Sequence, residues 1–218
     1  FVSCGIDREA LLAAGIPVRA VFREQGDRAA ARSELALPQA GRHIVLMSGS
    51  IGCGPMADIA SELELRMEKG DFVSVLCGSN RQMLYALRRR GFYRVEAVGF
   101  TNRVQQYMDS ADVLVSKPGG ISITEACTRG TPLLLADMVG GCETRNQEFF
   151  HAHGWAETCQ PEEMANAALA MLGQPEQRRE LVERQRRDFD GLAADRIAQA
   201  VYDRCRDGAG DARAAAGV

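Results

Sequence analysis

The chain has 218 residues, of which 46% are hydrophobic and 22 are glycine, while aromatic residues make up only 6%. This length supports one substantial core, and a glycine-rich, aromatic-poor composition is typical of an α/β domain with many tight strand-to-helix turns. The formal net charge of −3 provides no global positive field. We therefore expect no nucleic-acid partner.

The first 41 residues differ from the rest and form a lead-in segment. They contain a short apolar piece at 10–14, a turn at 15–19 that reads GIPVR, and a charged, helix-like stretch at 23–37. From residue 42 onward, short apolar runs alternate with stretches of helical periodicity. The predicted strands are 43–47, 72–77, 94–98, 112–115, 132–136 and 156–158. The predicted helices are 56–68, 81–90, 104–110, 122–128, 142–153, 162–172, 176–189 and 193–205.

Largely apolar strands that are each followed by a helix predict a parallel sheet covered on both faces. Right-handed crossovers then give an α/β fold with a doubly wound, Rossmann-like parallel sheet. We expect one domain over residues 1–206, made of the lead-in segment 1–41, a core at 42–190 and a C-terminal helix at 191–206. Residues 207–218 lack apolar periodicity, which predicts a disordered tail.

The turns that follow the first five strands all fall on one edge of such a sheet, where ligands bind. They span 48–54, 78–80, 99–102, 116–121 and 137–143, and most are rich in Gly, Ser, Thr or Asn. Small residues with unpaired backbone N–H groups at helix starts suit anions. The first turn lacks the G-x-G-x-x-G and P-loop patterns, which disfavours NAD and ATP hydrolysis; it is equally explained as a turn that needs positive φ.

The turn at 116–121 leads into the most specific motif, GGISITE at 119–125. Gly119 and Gly120 would let the backbone approach a diphosphate, and the helix dipole would favour its charge. Ser122-x-x-Glu125 fits a capping box, in which the acid closes the helix start. Alternatively, Glu125 accepts hydrogen bonds from the two hydroxyls of a ribose, and both interpretations stay open at this point.

A second double glycine opens the helix after the fifth strand. Glu143 and Asn146 lie three apart there and therefore share one helix face. They could bind sugar hydroxyls, or the acid could simply complement the dipole of the first turn. Serine hydrolysis is disfavoured because the G-x-S-x-G elbow is absent. The cysteines and histidines show no zinc spacing, so we expect no metal and no cofactor.

Four stretches together resemble one family: GIPVR at 15–19, MSGSIGCG at 47–54, VGFTNRVQQYMDSADVLVSKPGGISITEA at 98–126 and GCETRNQEFF at 141–150. The chain is similar to the carboxyl-terminal half of the processive diacylglycerol glycosyltransferases and monogalactosyldiacylglycerol synthases. These enzymes are related to the peptidoglycan lipid II N-acetylglucosaminyltransferase. The resemblance extends from about residue 5 to residue 205.

The resemblance implies one lobe of a GT-B glycosyltransferase, in which two Rossmann-like lobes face a cleft. The lobe seen here would bind the donor, UDP-glucose or UDP-galactose, and the other lobe would bind diacylglycerol at the cytoplasmic membrane surface. Transfer would invert the anomeric centre without a bound metal. The catalytic base is unknown and expected in the amino-terminal lobe. Because the chain begins at Phe1 rather than Met, we expect it to be a piece of a longer protein, which alone binds the donor weakly and transfers nothing.

The resemblance also assigns roles by position. Ser50 and Gly52 would face the phosphates, Gly99 and Phe100 would bracket the uracil with Val104 behind them, and Gly119, Gly120, Ile121 and Ser122 would cradle the diphosphate. Glu125 would bind the ribose, and Glu143 and Asn146 the hexose. Cys142 stands where relatives commonly have glutamine, which leaves the hexose open.

Two other functions fit the same pattern. The chain could be the donor half of an N-acetylglucosaminyltransferase that acts on an undecaprenyl-linked muramyl acceptor, or a non-catalytic nucleotide-binding domain. The C-terminal helix is expected to pack on its own domain or to pair with another copy, which would give a homodimer.

Overall fold

The computed structural model of the chain describes residues 1–47, 49, 55–137, 141 and 143–215, with the backbone alone for 207–215. Ser50 and Gly52, to which the resemblance assigns phosphate contacts, lie outside these residues, and so does Cys142.

The described part of the chain forms a six-stranded sheet. Its strands are β1 (His43–Met47), β2 (Phe72–Leu76), β3 (Val95–Val98), β4 (Val113–Ser116), β5 (Leu133–Leu135) and β6 (Glu157–Thr158). All neighbours pair in parallel, in the order β3-β2-β1-β4-β5-β6. The order reverses between β1 and β4, which is where ligands bind in doubly wound sheets. Met47 pairs with both Leu76 and Ser116, so the carboxyl ends of the three central strands are level. The predicted fold class is confirmed.

Nine α-helices occur among the described residues. They are α1 (Arg28–Glu34), α2 (Met56–Arg66), α3 (Arg81–Arg89), α4 (Val104–Ser110), α5 (Gly120–Arg129), α6 (Thr144–Ala152), α7 (Met164–Leu172), α8 (Pro175–Asp188) and α9 (Ala193–Ala215). Short 3-10 helices at Val2–Cys4, Arg8–Ala10, Ala20–Phe22 and Pro161–Glu163 complete the regular structure.

Two helices differ from the prediction by more than two residues at an end. α1 is shorter than the stretch 23–37, because the Asp27 carboxylate accepts a hydrogen bond from the backbone N–H of Ala30 and starts the helix there, while Ala36 at φ 55° ends it. α9 continues to Ala215, whereas the sequence predicts disorder from residue 207. Residues 207–215 include four alanines but also two glycines and two aspartates, so local helix propensity does not explain this extension.

The core occupies both faces of the sheet because successive strand residues point to opposite sides. Ile44 and Leu46 pack with α2, α3, α7 and α8, whereas Val45 and Met47 pack with α4, α5 and the lead-in segment. All five residues of β1 are buried. This double coverage explains why the inner strands β1, β2, β4 and β5 are largely apolar runs rather than alternating patterns.

A buried charge network joins α1 to the amino-terminal edge of the sheet. The Asp112 carboxylate accepts hydrogen bonds from Arg28 at 2.7 and 2.6 Å, from Arg32 Nη2 at 3.3 Å and from the backbone N–H of His43 at 2.8 Å. Arg32 is 1% exposed. The network therefore fixes the lead-in segment to β1 at the edge opposite the strand carboxyl ends.

His43 belongs to this network and has a structural role. Its ring nitrogens lie 2.9 Å from Ser74 Oγ and 3.0 Å from Ser110 Oγ, and the ring stacks on Phe72. Burial, followed by the charge of Arg32, lowers the pKa of His43 to about 3, so the ring is neutral at physiological pH.

Candidate functional site

A pocket lies beyond the carboxyl ends of β1, β2 and β3, next to the first turns of α5. It is lined by Met47, Gly49, Leu76, Gly78, Gly99, Phe100, Thr101, Val104, Ser122 and Glu125. Five residues singled out in the sequence therefore meet in one place: Gly99, Phe100, Val104, Ser122 and Glu125. The Phe100 ring is 71% exposed, so its face is available to a planar ligand.

The start of α5 differs from the predicted capping box. The helix begins at Gly120 with Gly119 as its N-cap residue, so Ser122 is the third helical residue and Glu125 the sixth. Glu125 is too far along the helix to close its start, and the capping interpretation is wrong. The prediction placed the start too late because Gly119 and Gly120 were counted with the preceding turn.

The start of α5 has the properties of an anion site. No side chain among the described residues caps it, and the first backbone N–H groups of a helix have no acceptor within the helix. Ser122 adds a hydroxyl in this turn and borders the pocket. The dipole of the helix favours negative charge at this position.

Glu125 is a nearly buried acid in the wall of the pocket, 8% exposed. Burial raises the pKa of its carboxyl group, and the nearby Arg19 guanidinium opposes the shift. Arg19 Nε lies 3.5 Å from Glu125 Oε1, and Arg19 is otherwise largely exposed above the Phe22 ring. A carboxylate with two acceptor oxygens in such a pocket can receive hydrogen bonds from two adjacent hydroxyls.

Two basic residues at the site were not assigned roles from the sequence, namely Arg19 and Lys117. Both lie inside quoted motifs, Arg19 in GIPVR and Lys117 immediately after β4. Lys117 Nζ forms an ion pair with Glu143 Oε1 at 2.8 Å, and both side chains are partly buried. A Cβ atom built on Gly119 would lie 3.5 Å from Lys117 Nζ and 3.4 Å from Glu143 Oε1, so the pair stands beside the start of α5.

Asn146 ties α6 to the turn before α5. Its Nδ2 donates a hydrogen bond to the Pro118 carbonyl at 2.9 Å. A Cβ atom built on Gly120 would lie 3.2 Å from Ile16 Cδ1, so the lead-in segment packs directly on this glycine. Ile121 is 63% exposed at the helix start. The amide of Asn146 thus has a positioning role.

Asp137, which follows β5, contacts described residues on either side of Glu143. Its Oδ2 accepts hydrogen bonds from Thr144 Oγ1 at 2.5 Å and from the backbone N–H of Gly141 at 3.1 Å. Gly141 has φ 80°, a conformation that favours glycine. These contacts fix the entry to α6, so the position of Glu143 beside Lys117 follows from the fold.

No three His, Cys, Asp or Glu side chains in the described ranges are grouped to hold a metal ion. The expectation of metal-free chemistry stays a prediction. None of the helices in the described part of the chain is long and apolar enough to cross a membrane.

The sequence model of the family described as "Glycosyl transferases group 1" matches residues 58–188, which is more than half of the chain. The chain belongs to this family. The match includes the pocket residues from Gly78 to Glu125 as well as Glu143 and Asn146.

Curated relatives agree with the resemblance seen in the motifs. The chain is 26% identical over 209 residues to the processive diacylglycerol beta-glucosyltransferase of Staphylococcus carnosus, covering 95% of this chain and 52% of the relative. It is 30% identical over 159 residues to monogalactosyldiacylglycerol synthase 2, chloroplastic, of Arabidopsis thaliana, covering 69% of this chain and 34% of the relative. The chain spans about half the length of the first curated relatives it matches.

Solved structures confirm the fold. MurG of Acinetobacter baumannii superposes with a TM-score of 0.64 at 17% identity, covering 84% of this chain and 55% of MurG. Anabaena Alr3699/HepE, solved in complex with UDP and glucose, gives a TM-score of 0.64 at 14% identity, covering 86% of this chain and 55% of that protein. The Rossmann-like lobe of a GT-B glycosyltransferase, predicted from the sequence, is thereby confirmed as the fold.

Proposed function

We propose that the chain is the donor-binding lobe of an inverting glycosyltransferase that transfers a hexose from UDP-glucose or UDP-galactose to diacylglycerol. One observation carries this proposal: an exposed aromatic ring, a buried acid and an uncapped helix start border one pocket at the carboxyl edge of the sheet. A uridine diphosphate carries a planar base, a diol and an anion, one group for each of these three features.

The nucleoside would occupy the pocket itself. Phe100 offers its ring face to the uracil, with Gly99 beside it and Val104 as an apolar wall. Glu125 then accepts hydrogen bonds from the ribose hydroxyls, and the exposed Arg19 side chain can move aside or contact the ligand. Hydrogen bonds to a charged acceptor each contribute about 1.5–3 kcal/mol, which is enough to select a ribose.

The diphosphate would lie against the start of α5. Backbone N–H groups of Gly120, Ile121 and Ser122 and the ammonium group of Lys117 supply positive charge there. Gly119 leaves room for the close approach, since any side chain would extend toward Lys117 and Glu143. Glu143 and Asn146 lie next to this position and are assigned to the hexose.

The same groups would assist the departure of UDP. Negative charge develops on the diphosphate as the glycosidic bond breaks, and fixed N–H dipoles and a cation stabilise it. Donor binding should therefore not require a divalent cation, which calorimetry in the presence and absence of EDTA checks. No residue of the chain is assigned to deprotonate the acceptor.

The acceptor is proposed from the relatives. Two of them are named for glucose or galactose transfer onto diacylglycerol, an acceptor that resides in a membrane. We therefore propose that the protein acts at a membrane surface, with the acceptor bound outside this lobe; the cytoplasmic face stays a prediction from the resemblance.

Titration calorimetry with UDP, UDP-glucose, UDP-galactose and UDP-N-acetylglucosamine tests the proposal. We expect binding of UDP and stronger binding of one UDP-hexose. Preference for UDP-N-acetylglucosamine would instead support transfer to a muramyl acceptor. If no uridine nucleotide binds at millimolar concentration to a chain that melts cooperatively, the donor-lobe assignment is wrong.

A further inference from the structure

The ion pair between Lys117 and Glu143 lies where the diphosphate and the hexose would meet. Its 2.8 Å separation and partial burial, with side-chain exposures of 25% and 23%, distinguish it from the more exposed pairs on α8. Because Lys117 follows β4 and Glu143 immediately precedes α6, the pair connects two separate loops at the carboxyl edge of the sheet.

Contacts of the backbone and of neighbouring residues position both partners. The Lys117 carbonyl accepts hydrogen bonds from the Gly119 N–H at 2.8 Å and from Ser116 Oγ at 3.0 Å. A Cβ atom built on Gly49 would lie 3.0 Å from Lys117 Cε, so Gly49 lies against the lysine stem. Asp137 contacts Gly141 and Thr144, which lie on either side of Glu143. The pair is thus a built feature of the site.

An anion bound at the start of α5 would weaken the ion pair between Lys117 and Glu143. Lys117 Nζ can reach an anion held beside Gly119, since it already lies 3.5 Å from the position of a Cβ atom on that residue. The Glu143 carboxylate lies equally close and carries the same sign of charge as the anion. A bound diphosphate would therefore attract Lys117 and repel Glu143.

We infer that Lys117 and Glu143 form a donor-responsive latch, an inference that rests on the proposed function. In the unliganded protein, Glu143 neutralises Lys117 and weakens its attraction for anions that carry no sugar. When the diphosphate of a nucleotide-sugar binds, Lys117 moves to the phosphate, and the released Glu143 carboxylate accepts hydrogen bonds from hexose hydroxyls. The latch makes the chain favour a nucleoside diphosphate that carries a hexose over the free nucleotide.

Calorimetry with UDP and UDP-glucose on the 218-residue chain tests the latch. Glu143→Gln should bind UDP about threefold to tenfold more tightly than the wild type, because the lysine is no longer neutralised. The same variant should lose most of the preference for UDP-glucose over UDP. Lys117→Met should weaken the binding of both ligands.

A double variant of Lys117 and Glu143, together with a charge-matched control, distinguishes the latch from a general effect of removing a negative charge. In the Lys117→Met background, Glu143→Gln should give no gain in UDP affinity. The ammonium group that Glu143 neutralises in the wild type is absent from this background. Glu148→Gln, an exposed acid on α6 with the same change of charge, should leave both affinities unchanged. A gain that persists without Lys117, or unchanged or weaker UDP binding by Glu143→Gln, would overturn the inference.

Inorganic diphosphate distinguishes failure of the latch from failure of the proposed function. If the wild type binds no uridine nucleotide, the proposed function fails while the latch is still tested by this probe. Tighter binding of inorganic diphosphate by Glu143→Gln, dependent on Lys117, would support the latch. Equal binding by wild type and variant would overturn it.

Discussion

At the scale of single residues, Glu125 is expected to serve binding at a cost to stability. Burial raises the pKa of its carboxyl group, with Arg19 opposing the shift. A carboxyl group whose folded-state pKa is raised stabilises the fold most below its unfolded-state pKa, and this contribution is lost as pH rises through the folded-state value. Glu125→Gln should therefore have a higher free energy of unfolding than the wild type at pH 8.

Urea denaturation at pH 4 and pH 8 checks this expectation. The difference between variant and wild type should shrink toward pH 4, where the glutamate becomes protonated. A less stable Glu125→Gln variant at pH 8 would mean that the ion pair with Arg19 outweighs the desolvation of the carboxylate.

Gly119 allows binding and folding to be separated. Its φ of −73° and ψ of 119° are open to any residue, and a Cβ atom there would make only ordinary contacts with Lys117 and Glu143. Gly119→Ala should keep or raise the free energy of unfolding, by about 0.4–1 kcal/mol, because alanine has less freedom in the unfolded chain. Its methyl group would obstruct the anion, so we expect UDP affinity to fall about tenfold or more.

Thermal unfolding and calorimetry on the same preparation measure both quantities. Unchanged UDP affinity in a folded Gly119→Ala variant would place the diphosphate away from the start of α5.

The residue scale also shows what the sequence could and could not reveal. Glu125 was identified because a strand-glycine-helix pattern is local, and the resemblance then assigned it to a ribose. Arg19 and Lys117 were not assigned roles, because their partners lie 106 and 26 positions away. Ion pairs between such distant segments depend on tertiary structure, which no local pattern encodes.

At the scale of elements, α5 shows where local rules fail. Glycine is unfavourable in helix interiors, so a propensity argument starts the helix at Ser122. At the N-cap and the first helical position this penalty is small, and the chain enters the helix at Gly120. The four inner strands β1, β2, β4 and β5 were predicted within a residue or two because burial on both faces makes them apolar runs. Their spatial order could not be read from the sequence.

The network around Asp112 gives a prediction for stability. Removing this carboxylate leaves the buried Arg32 guanidinium without its charge partner, so Asp112→Asn should lower the free energy of unfolding by about 3 kcal/mol or more. Asp58→Asn is the control, because Asp58 is exposed and lies 3.9 Å from Arg90, an arrangement worth about 0–1 kcal/mol.

Urea denaturation compares the two variants. If the free energy of unfolding falls by the same small amount in both variants, the network around Asp112 contributes no more than a surface ion pair. UDP affinity should stay unchanged in folded Asp112→Asn, because the network lies at the opposite edge of the sheet from the pocket.

At the scale of the whole molecule, the lead-in segment packs against the first turn of α9. Ala193 is buried, Arg196 Nη1 donates a hydrogen bond to the Ala14 carbonyl at 3.3 Å, and Arg23 pairs with Asp195 at 2.9 Å. The first turn of α9 therefore packs on its own domain, which is one of the two arrangements expected for this helix; the other was pairing with a second copy of the chain. Farther along, Val201 is 58% exposed. A homodimer through this helix stays a prediction for sedimentation equilibrium.

The lead-in segment has a second connection, to the pocket itself. Arg19 contacts Glu125, and Ile16 packs on Gly120 at the start of α5. The same segment thus joins the last helix to the two places where the ribose and the diphosphate are expected. This arrangement makes the pocket a property of the assembled fold, to which segments far apart in the chain contribute.

The central claim is that the pocket binds a uridine nucleotide with Glu125 on the ribose. The affinity of UDP and of 2′,3′-dideoxyuridine diphosphate, measured for wild type and Glu125→Gln, tests it most directly. Loss of both hydroxyls should weaken binding to the wild type about tenfold to a hundredfold, and the variant should show a much smaller difference. If the wild type binds both nucleotides equally, or if the variant keeps the full difference, Glu125 does not bind the ribose.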